Sequence, residues 1–179
     1  YELISGHRRL AACKLLGLPT IPVIVRDLTD AEAIIAMVDA NLQREYILPS
    51  EKAFAYKMKM EAMKHQGKSS RQVGTMSRTD EEIAKESKDS ARQIQRYIRL
   101  TNLIPDILDM VDNKEIALTP AVELSYLTQW EQRCLYNIMQ MDGGTPSLSQ
   151  AQRMRRMSEQ RRLGAGDMED IMAEIKGNQ

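Results

Sequence analysis

Two arginines follow a glycine in the stretch Ile4-Ser5-Gly6-His7-Arg8-Arg9-Leu10-Ala11-Ala12. These residue types suit anion chemistry. A glycine turn that enters a helix leaves the first backbone N–H groups unpaired, and the helix dipole adds its own attraction for negative charge. Arg8 and Arg9 oppose that dipole in an isolated helix. They become favourable when phosphate oxygens occupy the turn, because guanidinium and phosphate meet through two parallel hydrogen bonds. Exposed ion pairs are the alternative use of such arginines and contribute little. On this stretch alone the two readings stand level.

A second candidate lies between Asp80 and Leu103. Ile83-Ala84 places an apolar and a small residue where two helices must cross closely. Ser90 suits the cap of a following helix, and Ile94, Tyr97 and Ile98 give that helix a buried face. Its other side carries Arg92, Arg96 and Arg99 at i, i+4 and i+7, with Gln93 and Gln95 beside them. Such a stripe repels itself unless something anionic lies against it. Arg and Gln near the start of a helix are also the side chains that bind guanine and adenine edges in pairs of hydrogen bonds. The pattern predicts a helix-turn-helix. Ser90, Arg92, Gln93, Arg96 and Arg99 lie on its reading helix, and Lys68, Arg71, Arg78 and Lys88 are placed for backbone phosphates. Lys88 stands where this motif often has a turn glycine. The alternative is a three-helix bundle with a solvated basic face.

The surrounding elements must position these groups. Residues 1–5 (Tyr-Glu-Leu-Ile-Ser) and 20–28 (Thr-Ile-Pro-Val-Ile-Val-Arg-Asp-Leu) read as short strands around a helix that Gly17 closes. A second helix starts near Thr29, with Asp30 and Glu32 in its first turn. A third starts at Pro49-Ser50 and stops at Gly67. Its stripe of Ala53, Tyr56, Met60 and Met63 reads as packing. Residues 67–78 read as a polar, basic loop. From Thr79, where Thr-Asp-Glu-Glu forms a capping box, short helices alternate with turns; Gly143-Gly144-Thr145-Pro146 breaks the chain before another helix, and a small acidic helix follows Gly164. The expected fold is mainly α with a small α/β N-terminal part. Three units are expected: residues 1–48, a helix-turn-helix domain over 49–145, and a helical extension over 146–179.

Bulk properties narrow the classes. The 179 residues carry no net charge, yet the charge is segregated. Residues 64–102 hold nine Lys/Arg against five Asp/Glu, residues 103–142 two against seven, and residues 153–162 five against one. A basic surface beside an acidic one is the implication, with solvated helix faces as the bland alternative. No apolar run approaches the ~18 residues of a membrane span. Cys13 and Cys134 suit reduced thiols in the cytoplasm. The chain opens without methionine in strand-like sequence, so a fragment lacking the first part of its N-terminal domain is expected.

The strand, Gly6-His7-Arg8-Arg9-Leu10-Ala11-Ala12, helix and strand are followed by Asn41-Leu42-Gln43-Arg44-Glu45, by Leu48 to Lys57, and by the helix-turn-helix. In this order, over roughly residues 1 to 130, the chain resembles the ParB family of DNA-partition proteins. That family includes nucleoid-occlusion and plasmid or mobile-element relatives. The resemblance implies an N-terminal domain binding cytidine triphosphate with magnesium, and a central domain reading a palindromic centromere-like site in double-stranded DNA. It also implies a homodimer and a partner partition ATPase.

Gly6, Arg8 and Arg9, with Ser5 and His7 in frame, match the box that holds the triphosphate. Asn41, Gln43 and Arg44 match the second box, whose asparagine helps hold the metal. His7 replaces the family's glutamate, and Ala11 an arginine. Ala40 stands where that second box has a glutamate tied to hydrolysis. An alanine neither positions water nor ligates a metal. The alternatives are a ParB-fold nuclease or nucleotide-hydrolysing enzyme, with Asp39 as its best carboxylate; a transcriptional regulator using the same DNA module; and an interaction module using the acidic 103–142 segment.

Overall fold

A computed structural model of the chain describes residues 1–69 and 79–174. Ten α-helices form among them: α1 (His7–Leu15), α2 (Asp30–Leu42), α3 (Pro49–Ser69), α4 (Thr79–Glu86) and α5 (Ala91–Leu100), then α6 (Pro105–Asp112), α7 (Leu118–Leu124), α8 (Gln129–Asp142), α9 (Leu148–Glu159) and α10 (Ala165–Ala173).

The mainly α class holds. The two expected strands do not form: residues 1–5 and 20–28 carry no ladder, and Val23, Ile24 and Val25 stand exposed. β-Branched composition favours extended backbone, but a strand also needs a neighbour to pair its N–H and C=O groups. Neither segment pairs with the other or with any described residue. Gly17 does close α1, in the left-handed region at φ 66°, with the Leu18 N–H donating to the Cys13 carbonyl at 3.0 Å. Thr29 and Glu32 cap α2 reciprocally: the Thr29 N–H meets Glu32 Oε2 at 2.8 Å, and the Glu32 N–H meets Thr29 Oγ1. The third helix does not stop at Gly67 but continues to Ser69. A glycine inside a helix costs about 1 kcal/mol, which a 21-residue helix tolerates.

Helix α3 is the spine. It packs against α2, α4, α5 and α6. Its N-terminus is capped from α6, because Asp112 accepts from the Ser50 N–H at 2.9 Å and from the Ser50 hydroxyl. Two apolar cores flank it. The smaller joins Tyr56 to Ile83 of α4 and Ile94 of α5, with Met60 and Met63 packed alongside. The larger runs from Ala53 and Leu100 through α6, α7 and α8 to Ala151, Met154, Met168 and Ile171. Helices α9 and α10 therefore share one core with α6–α8. Gln132, fully buried, ties this core's turns: its amide bonds the Ile104 N–H at 2.8 Å and the Asn102 and Leu127 carbonyls.

A buried charge holds α2, α3 and α4 together. Lys59 is 2 % exposed, and its Nζ donates to Asp39 Oδ1 at 2.6 Å and Glu86 Oε2 at 2.8 Å. Burial alone would lower the ammonium's pKa; the bonds to Asp39 and Glu86 outweigh that and hold it above its ordinary value.

The two carboxylates reach solvent, being 38 % and 66 % exposed, so removing the lysine strands no buried charge. Lys59→Met is therefore expected to change stability by less than about 1 kcal/mol. The double change Asp39→Ala with Glu86→Ala, which leaves the ammonium buried and unpaired, should cost about 3 kcal/mol. Urea denaturation of both variants checks this; equal losses would refute it.

Candidate nucleic-acid interface

The turn between α4 and α5 spans Ser87 to Ser90 and is built around Asp89. Its carboxylate accepts from Lys52 Nζ at 2.9 Å and from the Tyr56 hydroxyl at 2.7 Å, both on α3. The Ser87 hydroxyl donates to the Asp89 carbonyl at 2.9 Å and accepts from its N–H. Burial first, and then the bond to Asp89, push the Tyr56 phenol well above its ordinary value. Lys52 is also held above its ordinary value, since the Asp89 bond and the neighbouring charges outweigh the opposing effect of burial.

No glycine is needed here. Among described non-glycine residues only Lys114 and Arg161 have positive φ, so Lys88 sits in the turn without strain and points into solvent. Ser90 caps α5 as its sequence predicts, accepting from the Gln93 N–H at 3.3 Å. Ile94 is fully buried and Tyr97 and Ile98 pack beside it, which aims the other side of α5 outward.

The three arginines of that side have different surroundings. Arg92 is exposed in the first turn. Arg96 is half-buried, donating to Thr119 Oγ1 on α7 at 2.6 Å and to Gln93 Oε1 at 3.3 Å. Arg99 is held against the protein: it donates to the Ser125 hydroxyl and carbonyl and stacks on the Tyr126 ring at 3.8 Å. Arg155 of α9 stacks on the same ring at 3.5 Å, balanced by Glu123 and Glu159. Gln95 bonds Asp80 at 3.0 Å. The structure thus gathers Lys88, Ser90, Arg92, Gln93 and Arg96 around the start of α5, with Arg99 at its far end. Lys68 falls in the last turn of α3, and Arg71 and Arg78 lie outside the described residues.

The N-terminal turn has the backbone its sequence predicts. Gly6 precedes α1 at φ 92°, a left-handed conformation that side chains resist. No side chain caps the helix start, no acidic residue sits in its first turn, and His7, Arg8 and Arg9 are exposed. The Arg9 guanidinium folds back over Gly6, 3.6 Å from where a Cβ would stand. Helix α1 buries none of its own residues.

The second box ends α2 and divides between two hollows, because residues three apart share a helix face and adjacent ones do not. Ala40 and Gln43 line an open hollow of about 730 Å³ with Arg26, Asp39, Lys59 and Glu86. Asn41 and Arg44 line one of about 290 Å³ with Leu42, Phe54 and Met58. Neither hollow takes a residue from 5–9. Asp39, the carboxylate noted for metal chemistry, is engaged by Lys59. Among the described residues no group of three or more His, Cys, Asp or Glu is arranged to hold a metal ion.

Sequence reasoning missed Lys52, Lys59, Asp89 and Thr119. The spacing of Lys52, Tyr56 and Lys59 at i, i+4 and i+7 was the available signal for the first two. Nothing local announced Thr119.

Comparison with known proteins supports the resemblance to the ParB family. Residues 1–42 match the family model described as the ParB N-terminal domain. The chain is 34 % identical over 116 residues to the chromosome-partitioning protein Spo0J of Thermus thermophilus, covering 65 % of this chain and 38 % of that one. It is 34 % identical over 134 residues to a nucleoid occlusion protein of Listeria innocua, covering 74 % and 42 %. It is 30 % identical over 166 residues to a probable chromosome 1-partitioning protein ParB of Deinococcus radiodurans, covering 93 % and 52 %. The chain thus spans about 40 to 50 % of the length of these relatives. The fold is similar to that of the C-terminally truncated chromosome-partitioning protein ParB from Caulobacter crescentus, solved in complex with the centromeric parS site. That match has a TM-score of 0.55 and 24 % identity, and covers 87 % of this chain and 74 % of the other.

The Asp89 turn makes a direct test of how the interface is held. Asp89→Ala leaves the buried Tyr56 hydroxyl without an acceptor and should cost about 2 kcal/mol. Lys52 and Tyr56 both stand above their ordinary values of 10.5 and 10.0 in the folded state. The unfolded chain therefore loses those protons first, and stability is complete below about pH 10 and falls as pH rises beyond it. Chemical denaturation between pH 7 and 11 should show this fall in the parent and a shallower one in Asp89→Ala; parallel curves would contradict the assignment.

Proposed function

We propose that this chain is the DNA-loading part of a ParB-type partition protein, reading a palindromic site in double-stranded DNA under control of a nucleotide. The observation that carries the reading is α5: a Ser90-capped helix, set by a turn pinned to α3, that offers Arg92 and Gln93 from its first turn. Similarity to chromosome-partitioning and nucleoid occlusion proteins supports it, as does likeness in fold to a ParB solved with its parS site. Arg92, Gln93 and Arg96 read bases, while Lys88 and the basic segment of Lys68, Arg71 and Arg78 meet phosphates. Two half-sites call for a homodimer, with a partition ATPase as partner and the nucleoid or a plasmid in the cytoplasm as the place of action.

The nucleotide in this reading is cytidine triphosphate. The turn at Gly6 fits the anionic part: an uncapped helix start, no acid in the first turn, and two exposed guanidiniums. Ser5, His7, Gln43 and Arg44 complete the set by resemblance. The fit to magnesium is poorer. That ion takes six oxygens, and Asn41 offers one amide oxygen with no carboxylate at Ala40. This chain's residues therefore serve binding rather than hydrolysis.

Two measurements test the reading. Arg92→Ala should weaken binding to a selected palindrome by about 1–3 kcal/mol and leave unselected duplex nearly unaffected. Lys88→Ala should weaken both alike and reduce the salt slope by about one. Fluorescence anisotropy across a salt series distinguishes them, and identical behaviour of the two variants would overturn the division of roles. For the nucleotide, Arg8→Ala with Arg9→Ala should reduce binding of cytidine triphosphate by tenfold or more, at ~1 kcal/mol or above for each charged hydrogen bond lost. Unchanged affinity in equilibrium dialysis would remove the Gly6 turn from the site.

A further inference from the structure

Gln93 stands in the first turn of α5, where a glutamine would ordinarily pair with adenine. Its partners work against that. The Arg96 guanidinium lies between Thr119 Oγ1 at 2.6 Å and the Gln93 amide at 3.3 Å. A guanidinium has no acceptor, so the amide atom facing it is the oxygen. Adenine's major-groove edge needs an acceptor for its N6 amine and a donor for N7, whereas guanine's N7 and O6 need donors only. With one lone pair of Oε1 engaged by a cation, Gln93 keeps two N–H donors and a single remaining acceptor site. The charge also makes that oxygen a poorer acceptor and the N–H groups better donors. Arg92, exposed beside it, is donor-only as well.

Thr119 belongs to α7, outside the helix-turn-helix. Its neighbours Pro120, Ala121 and Leu124 are buried, Ala121 and Leu124 in the larger core, so its backbone is fixed relative to α5 and its exposed hydroxyl reaches Arg96. We propose that Thr119 is a positioning residue for base choice: through Arg96 it orients the Gln93 amide so that the start of α5 selects guanine over adenine. This rests on the reading of α5 as the helix that meets base edges.

The test uses the full chain and a duplex library randomised across one half-site, with bound sequences counted. The base pair read by Gln93 is the one whose preference disappears in Gln93→Ala. The parent should favour guanine there. In Thr119→Val and Thr119→Ala that preference over adenine should fall about tenfold, and Thr119→Ser should restore it. Affinity for unselected DNA and the melting temperature should stay unchanged in all three. A parent that favours adenine at that position, or Thr119 variants that keep the guanine preference, would overturn the proposal while leaving the DNA-binding reading intact. A parent with no sequence preference at all would overturn both.

Discussion

A single ammonium group, Lys59 Nζ, joins three helices, and it belongs to a longer polar seam. Lys52, Tyr56 and Lys59 lie at i, i+4 and i+7 on α3 and donate to Asp89, Glu86 and Asp39. One face of one helix therefore fastens the α4–α5 turn, the end of α4 and the last turn of α2. Apolar contact alone would not fix this arrangement, because hydrophobic burial is non-directional. Among the described residues the smaller core has only Tyr56, Ile83 and Ile94 fully inside. Directional, charge-assisted bonds then decide the angle at which α5 faces outward. The second box adjoins the same seam, since Asp39 sits one residue before Ala40 at the end of α2.

Much of this was readable from residue order. Thr29 and Glu32, Ser90, Gly17 and Pro49 each mark a helix boundary through local chemistry, and local chemistry survives folding. The pair of α4 and α5 was legible for the same reason: Ile83, Ile94 and Ile98 keep helical spacing across a short turn. The strands were not, because a strand is a relation between two segments and composition describes only one. Asp89 was visible as a polar residue in a turn, but its role depends on Lys52 and Tyr56, more than 30 residues away. The carboxylate of Asp39 was legible as chemistry and illegible as structure. Its partner Lys59 lies in a helix that the spacing of apolar residues had accounted for.

The arginine stripe shows how far periodicity goes. Spacing places Arg92, Arg96 and Arg99 on one side of α5 and treats them as equivalent. Packing makes them unequal. Arg99 lies where α5 meets α7, so the carbonyl of Ser125 and the ring of Tyr126 take its charge. Arg96 lies one turn earlier and reaches Thr119. Arg92, in the first turn, is the exposed member. The repulsion expected among three like charges is relieved from within the protein for two of them. A gradient results along the helix, from solvent-facing at its start to structural at its end, which suits an element that meets a partner with its N-terminal turns.

The acidic segment is explained by the same reasoning. Seven carboxylates against two cations over residues 103–142 resemble a surface made for a basic partner. Four of the seven are used internally. Asp112 caps α3, Asp106 pairs with Arg133, Glu123 pairs with Arg155, and Glu131 closes the capping box of α8 while accepting from Ser158. Carboxylates are favoured at helix starts, where the dipole and free N–H groups stabilise them. Asp106 and Glu131 stand in the first turns of α6 and α8, and Asp112 serves the start of α3, so part of the segment's acidity belongs to helix starts. The basic residues follow the opposite logic. A cation near the start of a helix gains nothing from the dipole, and Arg8, Arg9 and Arg92 all occupy such positions with no acid in the first turn of α1 or α5. A charge placed against its local field, exposed and unbalanced from within, is best explained by an anion that comes from outside.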